Sequence, residues 1–449
     1  MALLLNENLH DLPAEMGVIS AMMYGNDAIA KAIDMLRADM FYKKLHTDMF
    51  NTMVKMYEHD ISVDPITLIE QMKREKIING SDEAYIMDVY DVVVSDANIR
   101  HHAGIVKEKY RLRELVKLSA ETERLTLQCE SSQCVIDTIE QRITAIDNDT
   151  DSKGLIHVSE YVTPVMKEIS DSMTSRKVKG LLTGFDGVDR IMGGLLPGNL
   201  IIMAGRPSMG KTSAALQMAI NVARQGKSVA IFSLEMSTHE LIYRGCSLIS
   251  GIRLEDIIAG RNLTHGHVSR ISEAMEEMKQ LPIFIDDSSG ITPLYVKSKI
   301  RRIMFNGNNR LDFVLVDHLG LMGSHSAKGK QNRHLEIGEM TKYFKGFAKE
   351  AQIPVCLLNQ LNRNLEHRED KKPRLSDLRE SGNIEEDADK VIMLYRDDYY
   401  TKEESLKPNV AEFIICKNRN GGIGTHEMFF DKMCTRFMAL GEGVKHGIH

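Results

Sequence analysis

Gly205-Arg206-Pro207-Ser208-Met209-Gly210-Lys211-Thr212 has the spacing GxxxxGK[ST] of a phosphate-binding loop. The residues before it, Asn199 to Ala204, form an apolar run of strand length. Those after it, Ser213 to Ala223, read as a helix. Strand, glycine loop and helix supply what the motif needs, because backbone N–H groups and a helix N-terminus then converge on phosphate. Residues 205–213 are therefore expected to hold nucleotide. Gly205 and Gly210 permit backbone conformations that a Cβ resists, Lys211 meets the β- and γ-phosphates, and Thr212 offers its hydroxyl to Mg²⁺. The competing reading is a chance glycine turn ahead of an ordinary helix.

Outward from this loop the pattern alternates. Apolar runs of strand length fall at 200–204, 228–234, 283–286, 313–317, 353–358, 391–395 and 412–416, several of them separated by helical segments. That alternation predicts a mainly parallel α/β sheet covered by helices over residues 182–449. The spacing around Gly421-Gly422 predicts a hairpin that adds antiparallel strands at one edge.

Hydrolysis requires an acid near the metal and a group that positions water. Leu311 to Asp317 (LDFVLVD) ends an apolar strand in a carboxylate, the place of a Walker-B acid, so Asp317 is the candidate metal partner together with Thr212. Ser228 to Glu235 (SVAIFSLE) ends a second strand in an acid; Glu235 either activates water or serves the cap of the next helix, where Ser237 also stands. Val355 to Gln360 ends in an amide that either senses a γ-phosphate or caps a turn. The chain after it, 362–381, holds Arg363, Arg368, Lys371, Lys372, Arg374 and Arg379, and reads as a phosphate-contacting segment whose position nucleotide state could change. Lys417 and Arg419 follow a strand and precede a glycine turn; Arg419 is either an arginine finger for a neighbour's nucleotide or a solvated hairpin charge.

The first half differs. Leu45, Met49, Met53 and Tyr57 recur at near-helical spacing, Asp64-Pro65 starts another helix, and His102 to Leu127 reads as one long helix with Cys134 to Ile146 as its hairpin partner. The 27 methionines read as adaptable core filler. Asp147 to Gly154 is a polar break. The expected organisation is an all-helical domain over 1–150, a linker over 151–181 with one embedded helix interrupted near Pro164, and an ATPase domain over 182–449. Residues 1–181 hold 21 Lys and Arg against 30 Asp and Glu, whereas 301–374 hold 14 against 8. Such a distribution argues against a general polyanion coat and permits a nucleic-acid groove in the second half, with a solvated charged face as the competing reading. No apolar run approaches the ~18 residues of a membrane span. The chain start lacks a signal peptide's basic region, and six scattered cysteines suit reduced thiols in a cytoplasm.

Together, Thr183-Gly-Phe-Asp-Gly-Val-Asp189, Gly193-Gly-Leu-Leu-Pro-Gly198, the phosphate loop, Phe232-Ser-Leu-Glu-Met236, Val316-Asp-His-Leu-Gly-Leu-Met322, Asn359-Gln-Leu-Asn-Arg363, Ser376-Asp-Leu-Arg-Glu-Ser-Gly382, Glu386-Asp-Ala-Asp389 and Lys417-Asn-Arg-Asn-Gly421 resemble the hexameric replicative DNA helicases of the DnaB family. Asp39-Met-Phe-Tyr42 and Val63-Asp-Pro-Ile-Thr67 resemble its helical N-terminal domain. The resemblance implies a RecA-like ATPase, six copies ringing single-stranded DNA and moving 5′→3′ on ATP and Mg²⁺. It implies Lys211 and Thr212 on phosphate and metal, Glu235 as base, Asp317 as Walker-B acid, Gln360 as sensor, Arg244 near the nucleotide, and Lys417 and Arg419 acting on the adjacent subunit. It also implies DNA contacts from Arg379, Glu380 and Gly382, helped by residues 324–334. A primase and a helicase loader are implied partners, the helix in 155–175 would dock on a neighbour, and the place of action is the cytoplasm of a bacterial cell or phage host. His318 and Asn359 depart from the residues common in the family. Two other classes compete: a RecA-like repair or recombination ATPase that coats DNA as a filament, and a nucleotide-dependent ring scaffold that recruits primase.

Overall fold

The protein's computed structural model describes residues 9–92, 98–128, scattered positions between 132 and 146, and 157–175, 180–305, 310–323, 333–381 and 384–441. It divides into two compact units, Met1–Tyr161 and Val162–His449.

The first unit is built from α1 (Leu12–Met22), α2 (Asn26–Met35), α3 (Lys44–Glu58), α4 (Pro65–Arg74), α5 (Gly80–Tyr90) and α6 (Ile99–Gln128), and carries no strand among the described residues. Local chemistry sets the start of α4. Pro65 stands at its first position, Asp64 Oδ1 accepts from the N–H groups of Ile66 (2.8 Å) and Thr67 (3.0 Å), and Thr67 Oγ1 accepts from Asp64 N–H at 3.0 Å. The expected stripe on α3 faces inward: Met49 and Met53 are buried, with Leu45 and Tyr57 packed at the core's margin. Met22, Met40, Met56 and Met72 fill the same core, as flexible thioethers can. The predicted long helix is one piece, and the positions described within 134–146 are helical.

A seventh helix, α7 (Ser159–Ser175), runs straight through Pro164, where an interruption was expected. Pro164 lacks the N–H that would bond the carbonyl four residues back. The described residues of α7 are exposed, so water can serve that carbonyl and the turn persists. The polar break at 147–154 and the basic stretch 176–179 lie outside the described residues.

The second unit is a nine-stranded sheet in the order β3-β2-β4-β5-β1-β6-β7-β8-β9. Its strands are β1 (Leu200–Gly205), β2 (Val229–Ser233), β3 (Ile283–Asp286), β4 (Phe313–Asp317), β5 (Val355–Gln360), β6 (Lys390–Tyr395), β7 (Val410–Asn418), β8 (Gly424–Asp431) and β9 (Arg436–Met438). Strands β3 to β6 in that spatial order are parallel; β7, β8 and β9 add antiparallel at one edge, as the glycine turn predicts. Side chains of β1 alternate between two cores. Ile201 and Met203 pack beneath α8 (Asp186–Met192), α9 (Lys211–Arg224) and α10 (Thr238–Ser250). Helices α11 (Leu254–Ala259) and α12 (His265–Gln280) follow in the chain. Leu200, Ile202 and Ala204 face α13 (Pro293–Phe305) and α14 (Arg333–Ala351). Two short helices, α15 (Ile384–Asp387) and α16 (Asp397–Tyr400), flank β6.

Candidate nucleotide and catalytic site

The order of the sheet places β1 between β5 and β6, with β4 next outward and β2 beyond it. Parallel strands end together, so the residues at their C-terminal ends converge at the start of α9. Register makes this concrete: Gly205 lies opposite Gln360 on one side and Leu394 on the other, and Ser233 lies opposite Asp317.

Gly210 precedes α9 at φ 90°, a left-handed conformation, and a Cβ there would come within 3.0 Å of Phe437. Gly205 needs its bareness for another reason than expected. Its φ is not positive; a Cβ would stand 3.2 Å from the Leu394 carbonyl and 3.3 Å from Lys211 Cγ. Ser208 also adopts positive φ, 66°. Its carbonyl accepts from Arg396 Nη1 at 3.2 Å, and the Arg396 guanidinium lies 4.8 Å above the Phe430 ring. Pro207 is exposed, Met209 is in the core and Ser213 is buried on α9. The Arg206 side chain leaves the loop altogether and bonds Glu366 and the Leu361 carbonyl, so any phosphate contact from Arg206 comes from its backbone.

The chemistry gathers on the other side. Thr212 Oγ1 donates to Asp317 Oδ2 at 2.8 Å, and Lys211 Nζ donates to the Asn359 carbonyl at 3.2 Å. Burial pushes the Asp317 carboxyl up to about 6; the Thr212 bond opposes this, the Glu235 charge adds to it, and Lys211 and Arg244 oppose it. Burial likewise holds the Lys211 ammonium below its usual range, against the pull of Asp317 and Glu235. Glu235 is exposed just past β2, within electrostatic reach of both. The alternative of a helix cap is answered locally. Ser237 and Glu240 cap α10 between themselves, with Ser237 N–H donating to Glu240 Oε2 at 2.9 Å and Glu240 N–H to Ser237 Oγ at 3.3 Å. Gln360 is exposed beside Gly205.

Two buried donors here have no protein partner among the described residues, Arg244 Nε and Asn359 Nδ2. A half-buried lysine, an arginine with an unused N–H and a hydroxyl–carboxylate pair are what a triphosphate with a hard divalent cation would satisfy. The residues fit a hard divalent cation such as Mg²⁺, to which Thr212 and Asp317 would offer oxygen donors. No group of three or more His, Cys, Asp or Glu among the described residues is arranged to hold a metal ion by itself, and a P-loop metal would not require one.

Lys417 and Arg419 sit elsewhere. Lys417 Nζ donates to the carbonyls of Glu385 and Glu386, and Arg419 donates to the Glu386 carbonyl at 2.6 Å and Asp389 Oδ1 at 3.4 Å. Lys417 lies opposite Val391, near the N-terminal end of β6, whereas the phosphate loop begins opposite Leu394. Five residues of strand from Asp389 to Leu394 span roughly 16 Å, beyond the reach of an arginine side chain. Neither cation meets the phosphate loop of its own chain.

The basic segment after Gln360 is largely spent on itself: Arg368 pairs with Asp377 (2.9 Å), Lys372 with Glu412 (2.7 Å) and Arg374 with Asp370 (2.8 Å), while Lys371 donates to the Glu366 carbonyl (2.5 Å). The backbones of Arg379 and Glu380 belong to a 3-10 turn, Leu375–Ser381; Gly382 and residues 324–332 lie outside the described residues. Sequence reasoning missed Arg396 and the Asn359 carbonyl. Their signal, a polar residue at a strand end, becomes specific only once β5 and β6 are known to flank β1.

Sheet order and loop define a RecA-like P-loop ATPase. The DnaB-like helicase C terminal domain family matches residues 180–439, and the DnaB-like helicase N terminal domain family matches residues 7–108. The chain is 34% identical over 444 residues to the replicative DNA helicase DnaC of Bacillus subtilis (strain 168), covering 97% of this chain and 96% of that one. It is 36% identical over 446 residues to the replicative DNA helicase DnaB of Haemophilus influenzae, covering 96% and 94%. Among solved structures, a DnaB-like replicative helicase described with its interactions with primase superposes with a TM-score of 0.73 at 28% identity, over 96% of this chain and 100% of that one. The chain belongs to the DnaB-like helicase family, replicative DNA helicases that hydrolyse ATP.

Proposed function

We propose that this chain works as a ring of six copies around single-stranded DNA, moving 5′→3′ and unwinding duplex at the replication fork, with ATP cleaved at the seams between protomers. The observation that carries this reading is the separation of Lys417 and Arg419 from their own phosphate loop. An ATPase whose cationic finger cannot reach its own nucleotide completes its site with a second copy.

Within one seam, the backbone of 205–213, Lys211 and Arg244 hold the phosphates, and Thr212 and Asp317 would hold Mg²⁺, which would supply charge neutralisation at the phosphates. Glu235, exposed and within electrostatic reach of Asp317, takes the proton of the attacking water. Gln360, at the end of β5, contacts the γ-phosphate, and the neighbour's finger stabilises the transition state. Arg379, Glu380 and Gly382 face the DNA backbone, so binding depends on salt and little on base sequence. The helical unit over 1–150 forms the collar that meets primase, the linker over 151–181 contributes α7 to a neighbouring copy, and a loader places the ring on DNA in the cytoplasm. No helix among the described residues is long and apolar enough to cross a membrane.

Forked-duplex unwinding tests the reading. The wild type displaces the strand with ATP and Mg²⁺, and Lys211→Ala loses this by at least about a hundredfold, the scale of removing a transition-state contact. A Lys211→Ala protein that unwinds as well as wild type sinks the reading.

A further inference from the structure

Arg206 is the second residue of the phosphate loop, yet its guanidinium is committed outside it. Nε (2.9 Å) and Nη2 (2.5 Å) both donate to Glu366 Oε1, and Nη1 donates to the Leu361 carbonyl at 2.8 Å. Leu361 N–H in turn donates to the Gly205 carbonyl at 3.3 Å. The start of the loop is thereby fastened to the chain that follows Gln360.

That chain is itself fastened to the next turn. Arg368, two residues past Glu366, donates to Asp377 Oδ2 at 2.9 Å and to the Lys372 carbonyl at 2.9 Å. The same Asp377 oxygen accepts from Arg374 N–H at 2.7 Å, and the Asp377 carbonyl accepts from Asn362 N–H at 3.4 Å. Asp377 belongs to the turn Leu375–Ser381, whose last residues include Arg379 and Glu380. Two ion pairs, Arg206–Glu366 and Arg368–Asp377, joined by the short stretch of backbone from Glu366 to Arg368, therefore lead from the phosphate loop to that turn.

The two ends of the first pair differ in exposure. The Arg206 side chain is 8% exposed and that of Glu366 44%, so the tie is anchored in the loop and can be released at its outer end without opening the core. Arg206 also lies close enough to Lys211 for their positive charges to repel, so a phosphate beside Lys211 bears on the Arg206 guanidinium as well.

We propose that the Arg206–Glu366 pair is the link by which an occupied phosphate loop sets the position of the Leu375–Ser381 turn, and so makes nucleotide turnover answer to single-stranded DNA. Both are positioning residues, acting through the loop and the turn. The inference rests on the DNA-motor reading above.

ATP turnover of the full chain is measured against rising polydeoxythymidylate for wild type, Glu366→Gln, Glu366→Asp and Asp377→Asn. Glu366→Gln and Asp377→Asn keep DNA-free turnover and KM for ATP within about twofold of wild type, while the DNA-dependent increment falls about fivefold or more. Glu366→Asp, which keeps the charge, regains most of the increment. Should Glu366→Gln fail to fold, Asp377→Asn decides, since it touches no residue of the loop. Increments equal to wild type overturn the proposal, as does a proportional loss of DNA-free and DNA-dependent turnover, the mark of mere structural support. A wild type that DNA does not stimulate overturns the motor reading and this link with it.

Discussion

Lys390, just before the apolar run 391–395, shows how much can rest on one side chain. It opens β6, is fully buried, and donates to the carbonyls of Met192 (2.8 Å) and Gly194 (2.5 Å) at the end of α8, where unsatisfied carbonyls favour a cation. Burial pulls its ammonium down to about 8, with Asp389 and Asp189 opposing the fall. An unfolded lysine keeps its proton to about 10.4. Between these values the unfolded chain holds more protons than the folded one, so this group adds stability as pH rises from 8 towards 10. Allowing for screening, the gain is about 2 kcal/mol. Chemical denaturation of wild type and Lys390→Met at pH 8 and pH 10 checks this: the wild type gains relative to the variant on going to the higher pH, and a constant difference refutes it. Lys211, Thr212 and Asp317 were legible in the sequence, because each stands where a periodic run meets a loop. Lys390, Arg396 and the Asn359 carbonyl were not. Lys390 and Arg396 reach backbone oxygens on distant segments and the Asn359 carbonyl is met by Lys211 Nζ, and the register that brings these together belongs to the sheet. The direction of the Arg206 side chain was hidden for the same reason.

Elements were read more reliably than the contacts between them. Alternating apolar runs gave seven strands that all exist, and Gly421-Gly422 marked the hairpin of β7 and β8. Strand order stayed out of reach, since periodicity says which residues are buried and nothing of which strand lies alongside. Helix α7 is where local rules misled: Pro164 predicts a break, and solvent exposure relieves it. The same exposure leaves Tyr161, Val165, Ile169 and Met173, four residues apart each time, along one face of the helix. The spacing suits a helix that buries this stripe against something else, which in the ring reading is a neighbouring copy. Ile169→Asp is therefore expected to leave helix content unchanged by circular dichroism. It also shifts the assembly towards smaller species in sedimentation velocity, by about tenfold in association constant, as one desolvated charge implies. An unaltered sedimentation profile removes α7 from the interface.

At the scale of the molecule, the sheet puts the phosphate loop and the hairpin cations at opposite ends of β6, and a heterologous, head-to-tail ring is the symmetry that would bring one copy's cations to the next copy's loop under the proposed function. The family resemblance implied both halves of the proposed site, while the local residues left Arg419 open between finger and solvated charge. Only the fold shows that the two halves cannot meet within one chain. Complementation isolates this geometry. Lys211→Ala retains the finger and lacks the loop lysine; Arg419→Ala retains the loop and lacks the finger. Each alone is expected to hydrolyse ATP at least about a hundredfold more slowly than wild type. Mixed in equal amounts and allowed to exchange subunits, they form seams in which an intact loop from one variant faces an intact finger from the other. Random mixing places both in about a quarter of seams, so turnover should return to about a quarter of the wild-type rate if seams fire independently. It should fall below that if they fire in series, because a dead seam then holds up its neighbours. An Arg419→Ala protein that by itself hydrolyses ATP at the wild-type rate removes the finger from the reaction, and the shared-seam reading falls with it.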